Sequence, residues 1–363
     1  MWYLILGSLG LFFIVSVIYC TICIHRFSFM KHFAEGHKVL AWILSFLPVA
    51  LVGLFALINV FAMMIVFLHL LAGFAVVNAV GFIFRKMSRK GAKYDLQNVA
   101  ALVLVVLYLG LGWFLAHHVF ITRYEIATEK NVGEGLRIVG LADAHLSVTL
   151  DGEAFAKQVE RIKALEPDAV VIAGDFVDDD SKKEDMLRAC QALGTLNDTC
   201  GVFFVYGNHD NGYYNYRNFT AYELRKALTD YGVLVLEDEI VLTDERLVVI
   251  GRRDRSTRDR AEAQALTGAL DKSKYILMLD HQPNDFENEA LSDADLVFSG
   301  HTHGGHIFPA GLVGLIFGAN DRVYGTEVRN GTTFVVTSGI SGWAIPFKTG
   351  ARSEIVVIDI AAA

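Results

Sequence analysis

Four apolar runs, each near the length needed to cross a bilayer, occupy the first 120 residues and limit what this chain can fold into. They are Trp2 to Ile24, Val39 to Ile58, Val60 to Phe84 and Leu96 to Val119. Crossing takes roughly 20 apolar residues, so this part reads as a transmembrane bundle of about four helices. Asn59 is the only turn between the middle two, which leaves a count of three, with one long broken helix, open. No Asp, Glu, Lys or Arg interrupts a run. Trp2, Trp42 and Trp113 lie near proposed ends, where indoles favour the interface.

Charge divides the chain in the same place. Residues 1–120 hold eight Lys and Arg against two acids, whereas the remainder holds 24 against 38. The bases fall in the loops His25–Lys38 and Arg85–Asp95, and cytoplasmic loops are enriched in Lys and Arg. With four spans, both loops are cytoplasmic, and the N-terminus and everything after Val119 lie outside. The first run has no basic leader and is too long for a signal core, so it reads as a retained anchor. The expected location is therefore the cell membrane, multi-pass, with the second half on the non-cytoplasmic side.

Polar exceptions within the runs are Asn59, His69, Asn78 and the pair His117-His118. Such groups can mark a transport pathway, but the absence of charge favours anchoring. Cys20-Thr21-Ile22-Cys23, inside an apolar helix end, reads as buried thiols rather than a zinc or redox site.

After an expected linker at 121–135 the pattern changes to short apolar runs separated by amphipathic stretches, the signature of an α/β domain over 136–363. Five runs end in polar motifs. Leu136–Ala142 leads to Asp143-Ala144-His145, Ala169–Ala173 to Gly174-Asp175, and Val202–Tyr206 to Gly207-Asn208-His209-Asp210. Tyr275–Leu279 leads to Asp280-His281, and Asp295–Phe298 to Ser299-Gly300-His301-Thr302-His303-Gly304-Gly305-His306. Open α/β sheets build their sites along the carboxyl edge of the strands. All six histidines beyond residue 120 lie in these motifs; packing histidines would scatter.

These five ordered blocks resemble the calcineurin-like metallophosphoesterases, over about Leu136 to Ile360. The resemblance implies a two-sheet α-β-β-α sandwich and two divalent metal ions. One ion would be held by Asp143, His145, Asp175 and His303, and the other by Asp175, Asn208, His281 and His301, with Asp175 bridging. A hydroxide shared by ions about 3.5–4 Å apart would attack phosphorus in line. His209 would protonate the leaving oxygen, oriented by Asp210. Every ligand the family uses has a matching side chain here, so a non-catalytic metal-binding module is disfavoured. Nitrogen and oxygen donors without cysteine suit manganese first, or iron or zinc. His306 departs from relatives that carry Gln after Gly-Gly.

The expected function is thus a membrane-anchored phosphoesterase acting on a phosphodiester, pyrophosphate or lipid phosphoester. A transporter with a regulatory phosphatase domain is the other reading. Nucleic acid is not expected as a partner, because the second half is acidic and duplex binders usually show a basic face. Four further readings concern segments around the site. The apolar stretch Ile307–Gly318 either faces a bilayer or acyl chain or is buried. Arg252–Arg258 either binds a second anion or is solvated, and Asp178-Asp179-Asp180 reads as a solvated loop. Cys190 and Cys200 are a candidate disulfide, since exterior compartments preserve such bonds. Finally, Arg322–Arg329, Asn330-Gly331 and Thr332–Thr337 read as a hairpin with a tight turn.

Overall fold

The computed structural model describes residues 2–88, 94–214 and 216–363, and separates the chain into two compact units, 1–111 and 112–363. The first unit is helical: α1 (Trp2–His25), α2 (Ser28–Gly36), α3 (Lys38–Leu54), α4 (Val60–Ser88) and the larger part of α5 (Tyr94–His117). Among the described residues, three stretches are long and apolar enough to cross a membrane: Lys38–Leu57, Val60–Met87 and Asp95–His117. A fourth span forms if Leu11–His25 and Ser28–Gly36, bent by 86°, count as one. The loop expected at 25–38 is therefore itself largely helical; of its bases Lys31 lies in the amphipathic α2, Arg26 precedes it and Lys38 opens α3. Arg89, Lys90 and Lys93 of the other basic loop lie outside the described residues.

Polar groups in this unit serve the packing. Asn59 Oδ1 accepts the Ala62 amide at 2.8 Å and caps α4. Asn78 Nδ2 donates to Tyr19 Oη at 3.2 Å and to Cys23 Sγ at 3.4 Å. Such bonds hold apolar helices together where lipid offers no hydrophobic contrast. Cys20 and Cys23 are buried free thiols, as expected.

The second unit contains two six-stranded sheets. The first is built from β1 (Phe120–Thr128), β2 (Leu136–Leu141), β3 (Ala169–Ala173), β4 (Gly201–Val205), β5 (Leu234–Val235) and β12 (Glu354–Ala362), in the order β1-β12-β2-β3-β4-β5. The second is built from β6 (Glu239–Leu242), β7 (Leu247–Gly251), β8 (Tyr275–Leu279), β9 (Leu296–Ser299), β10 (Gly325–Arg329) and β11 (Thr332–Val336), in the order β10-β11-β9-β8-β7-β6. Helices α6 (Gly152–Lys163), α7 (Lys183–Gly194) and α8 (Ala221–Asp230) cover the first sheet, and α9 (Ala263–Thr267) and α10 (Phe286–Glu289) the second. The short α11 (Ala310–Ile316) lies between β9 and β10.

The layers follow from strand alternation. In β3, Val171 and Ala173 face the second sheet while Val170 and Ile172 face the helices. In β8, Leu277 and Leu279 point between the sheets and Ile276 and Met278 towards α9 and α10. Both faces are buried, so these strands read as unbroken apolar runs. This is the expected four-layer sandwich. The Asn330-Gly331 hairpin also forms, with both residues at positive φ (50° and 90°) and Arg329 opposite Thr332.

Three expectations change. The segment expected as a linker contains β1, which pairs in parallel with β12 from Phe120–Glu354 to Thr128–Ala362. Its alternation is modest: Tyr124 and Ile126 turn inward, Arg123 and Glu125 outward. Cys190 and Cys200 are free buried thiols, Cys190 packing its sulfur 3.9 Å from Met186 Sδ in the core under α7. Their spacing gave no information on where either thiol points.

Lastly, Arg252 is neither solvated nor open to an anion. Buried at 2% exposure, its Nη1 lies 3.0 Å from Asp280, 2.9 Å from Asp285 and 2.9 Å from Glu289. Arg260 also pairs with Asp280, directly before His281. Removing one partner of a buried ion network strands the others, at about 3–5 kcal/mol. Arg252→Ala is expected to lower the unfolding free energy of the detergent-solubilised full chain by that order, read as a drop in its urea midpoint. Lys226→Ala, which breaks an exposed pair with Asp230, leaves the midpoint unchanged.

Candidate metal centre

The polar motifs at the ends of β2, β3, β4, β8 and β9 converge. Two groups of side chains bring ligand atoms within 4.8 Å of one another: Asp143, His145 and His303, and Asp175, His281 and His301. Asp175 Oδ2 lies between the groups, 3.2 Å from His281 Nε2 and 3.7 Å from His145 Nε2. Asn208 Oδ1 stands 3.2 Å from His281 Nε2, while its amide donates to Tyr213 Oη at 2.8 Å. All seven expected ligands are thus brought to one place.

The backbone here is strained. Asp143, His145, Asp175, His301 and His303 have φ of 54°, 35°, 51°, 69° and 49°. Non-glycine residues rarely adopt this region, at a cost of about 1–3 kcal/mol each. Asp210 holds much of the geometry. Its Oδ2 accepts the amides of Asp175 (2.9 Å) and Gly207 (2.7 Å), and its Oδ1 those of Phe176 (2.9 Å) and Val177 (3.1 Å). Four backbone donors on two oxygens tie the end of β3 to the end of β4. Glycine is required beside them, because a Cβ at Gly207 would collide with the Asp175 carboxylate.

Asp210 therefore does not orient the His209 ring as expected; its carboxylate is used up on backbone. His209 is instead flanked by the rings of Tyr213 (5.0 Å) and Trp343 (5.5 Å), and its amide donates to Asp175 Oδ1 at 2.8 Å. The acidic run also differs from a solvated loop. Asp178 is buried with its carboxylate 3.3 Å from His145 Nδ1, and Asp179 accepts the amides of Tyr213 and Tyr214. Only Asp180 is exposed. A carboxylate behind one imidazole nitrogen fixes the ring so that the other faces inward. On His281, the Ala173 carbonyl 2.7 Å from Nδ1 does the same.

The residues fit a pair of cations. Asp143 Oδ2 and His303 Nδ1 are buried without a hydrogen-bond partner. Nε2 of His145 and Nε2 of His303 lie 3.1 Å apart, within reach of an N–H donated from one ring to the other, so the two imidazoles meet at one point. Burial pulls His301 down to about 4 and holds His303 well below its usual value, so both present neutral nitrogens. Burial would also lower His281 and His145, but Asp175 facing His281, and Asp178 with Asp175 around His145, outweigh it and raise both. Three buried carboxylates (Asp143, Asp175, Asp178) thus draw positive charge to this site.

Residues 136–305 match the calcineurin-like phosphoesterase family. An uncharacterised metallophosphoesterase of Aquifex aeolicus is 34% identical over 250 residues, covering 66% of this chain and 91% of that protein. The chain belongs to the calcineurin-like phosphoesterase family. An uncharacterised metallophosphoesterase of Campylobacter jejuni is 34% identical over 236 residues (63% of this chain), and this chain spans 60% of its length. A zebrafish (Danio rerio) transmembrane protein with metallophosphoesterase domain is 31% identical over 280 residues, covering 72% of this chain and 62% of that protein.

In this phosphoesterase domain, sequence reasoning missed Asp178, Tyr213 and Trp343 around the site. For Asp178 a signal existed, a carboxylate three residues after a strand-end Asp; for the two aromatics there was none. Asp210→Asn would turn an NH2 towards two backbone donors. The variant is expected to lose on the order of 2–4 kcal/mol and to bind Mn2+ more weakly, checked by urea unfolding and by isothermal titration of the chelator-stripped full chain.

Proposed function

We propose that the chain is a membrane-anchored, dinuclear-metal phosphoesterase that hydrolyses a phosphate ester, whether phosphodiester, pyrophosphate or lipid phosphoester. The apolar helices are its anchor and the two-sheet unit its catalytic domain, on the non-cytoplasmic side. The observation that carries this reading is the position of Asp175 between two histidine-containing groups.

Asp143, His145, Asp175 and His303 would hold one cation, and Asp175, Asn208, His281 and His301 the other. A carboxylate between two cations offsets their repulsion, and the neutral amide of Asn208 limits the negative charge at the second. When bound, the cations supply Lewis acidity that lowers the pKa of water and offsets charge growing on phosphoryl oxygens. Donors of nitrogen and oxygen alone suit manganese, iron or zinc, with manganese preferred.

His209, half-buried at the rim, supplies a proton to the leaving oxygen. Burial keeps its pKa below the ordinary histidine value, so the proton is readily given up. Tyr213 and Trp343 restrict its ring. Because Asn78 and Asn59 are engaged in helix packing and capping, the helices read as an anchor rather than a transport path.

Hydrolysis of bis(4-nitrophenyl) phosphate by the full chain in detergent should vanish on chelation, return with Mn2+ and be lost in Asp175→Ala. His209→Ala should lower turnover about 10²–10⁴-fold for an alkyl phosphate ester and far less for the nitrophenyl ester, whose leaving group needs no proton. Metal-independent hydrolysis, or full activity in Asp175→Ala, would sink the proposal.

A further inference from the structure

Beyond β9, the chain places an apolar surface against its own ligand-bearing loop. Phe308 and, on and after α11, Leu312, Val313, Leu315, Ile316 and Phe317 are all exposed, Ile316 at 78% and Phe317 at 82%. No residue of α11 is buried. The helix is nonetheless firmly based, because Gly311 packs on Gly305 so closely that a Cβ on either would press on the other's backbone. Gly305 lies two residues beyond His303. Contiguous exposed apolar surface of this kind marks a membrane or protein contact.

One connection indicates which. Lys348–Ser353 runs between the end of the last membrane-long helix and the base of this surface. On one side the Lys348 amide donates to the Gly112 carbonyl (2.9 Å), the Ser353 amide to the Leu115 carbonyl (2.8 Å) and Ser353 Oγ to the Ala116 carbonyl (2.8 Å). On the other side the Thr349 and Gly350 amides both donate to the His306 carbonyl (2.9 Å each), and the Phe308 amide donates to Thr349 Oγ1 (3.1 Å). Gly112 is itself pressed so tightly on Thr349 that a side chain there would clash. The backbone of the helix end and that of the ligand loop are therefore about two inter-strand spacings apart, on the order of 10 Å. Trp113 and Phe114, both exposed, mark that helix end as the level where aromatic rings meet lipid headgroups.

We propose that Phe308 and α11 seat in the bilayer that α5 crosses, and that the metal-ligand loop thereby takes its phosphoester from lipid in that bilayer. The substrate part rests on the phosphoesterase reading above; the seating does not. The occupant is lipid rather than a protein partner because the surface carries no charged side chain from Ile307 to Asn320 and is bonded, through one segment, to a helix end that must lie at the membrane surface if α5 spans.

The test uses the full chain in vesicles of phosphatidylethanolamine and phosphatidylglycerol. A photoreactive benzoylphenylalanine replaces Phe317 or, as control, the exposed Tyr222 on α8, which packs against β5 at the sheet edge opposite β1. Irradiation should give lipid adducts from position 317 and none from 222; absence of lipid adducts at 317, or equal labelling at both, overturns the seating. Separately, vesicle-borne 4-nitrophenyl phosphatidate is compared with soluble bis(4-nitrophenyl) phosphate, which shares its leaving group. Leu312→Ser with Phe317→Ser should slow the lipid ester at least about tenfold, the factor that losing one buried apolar side chain implies, and leave the soluble ester unchanged. Equal loss on both, or a wild-type chain that hydrolyses only the soluble ester, overturns the lipid substrate. A wild-type chain inactive on both esters overturns the phosphoesterase reading itself, and labelling at 317 still decides the seating.

Discussion

Uncompensated negative charge, enclosed between strand ends where water does not reach, is the constraint to which the second unit answers. Asp143 and Asp175 are almost fully buried with Asp178 beside them, and isolated buried carboxylates are among the costliest features a fold can carry. The neighbouring imidazoles do not neutralise them evenly. His281 and His145 are driven towards the charged form, whereas His301 and His303 are held neutral. A pair of divalent cations would take the place of those protons: the carboxylates balance the metal charge, and all four imidazoles, His145 and His281 included, donate as neutral rings.

Holding such a cluster demands rigidity that the loops cannot supply alone. Residues in the left-handed region at five ligand positions would relax if their amides were free. Asp210 prevents this for the Asp175 loop by gathering four amides from two strand ends. Asp143 has a related part on the other side, its Oδ1 accepting the His301 amide at 2.9 Å. The Arg252 network beneath Asp280 braces the remaining corner, so each ligand loop is tied to the sandwich by charge-assisted bonds to buried groups.

Much of this was legible in the sequence, and the reasons are specific. Central strands buried on both faces leave unbroken apolar runs, and a polar motif directly after such a run has to sit at the sheet edge. That logic located the five strand-end motifs, and the resemblance to the calcineurin-like phosphoesterases picked out of them Asp143, His145, Asp175, Asn208, His281, His301 and His303. It failed where a residue's partner is distant or is backbone. Asp210 looked like a side-chain partner of its neighbour, Asp178 like part of a hydrated acidic run, and Arg252 like part of a solvated basic one; only the folded chain brings amides, His145 and Asp280 to them. Strand β1 escaped notice because it lies at the sheet edge, where one strand face carries Arg123 and Glu125 and the apolar signal is diluted.

The place of β12 has a consequence for biosynthesis. This strand lies between β1 and β2, so the two segments made first after the helices cannot adopt their final neighbours until Glu354–Ala362 has left the ribosome. Until then β1 and β2 present unpaired backbone, a slow, long-range closure of the kind that exposes a nascent chain to mispairing. Without β12, β1 would be cut off at the edge while β2, β3, β4 and β5 stay together.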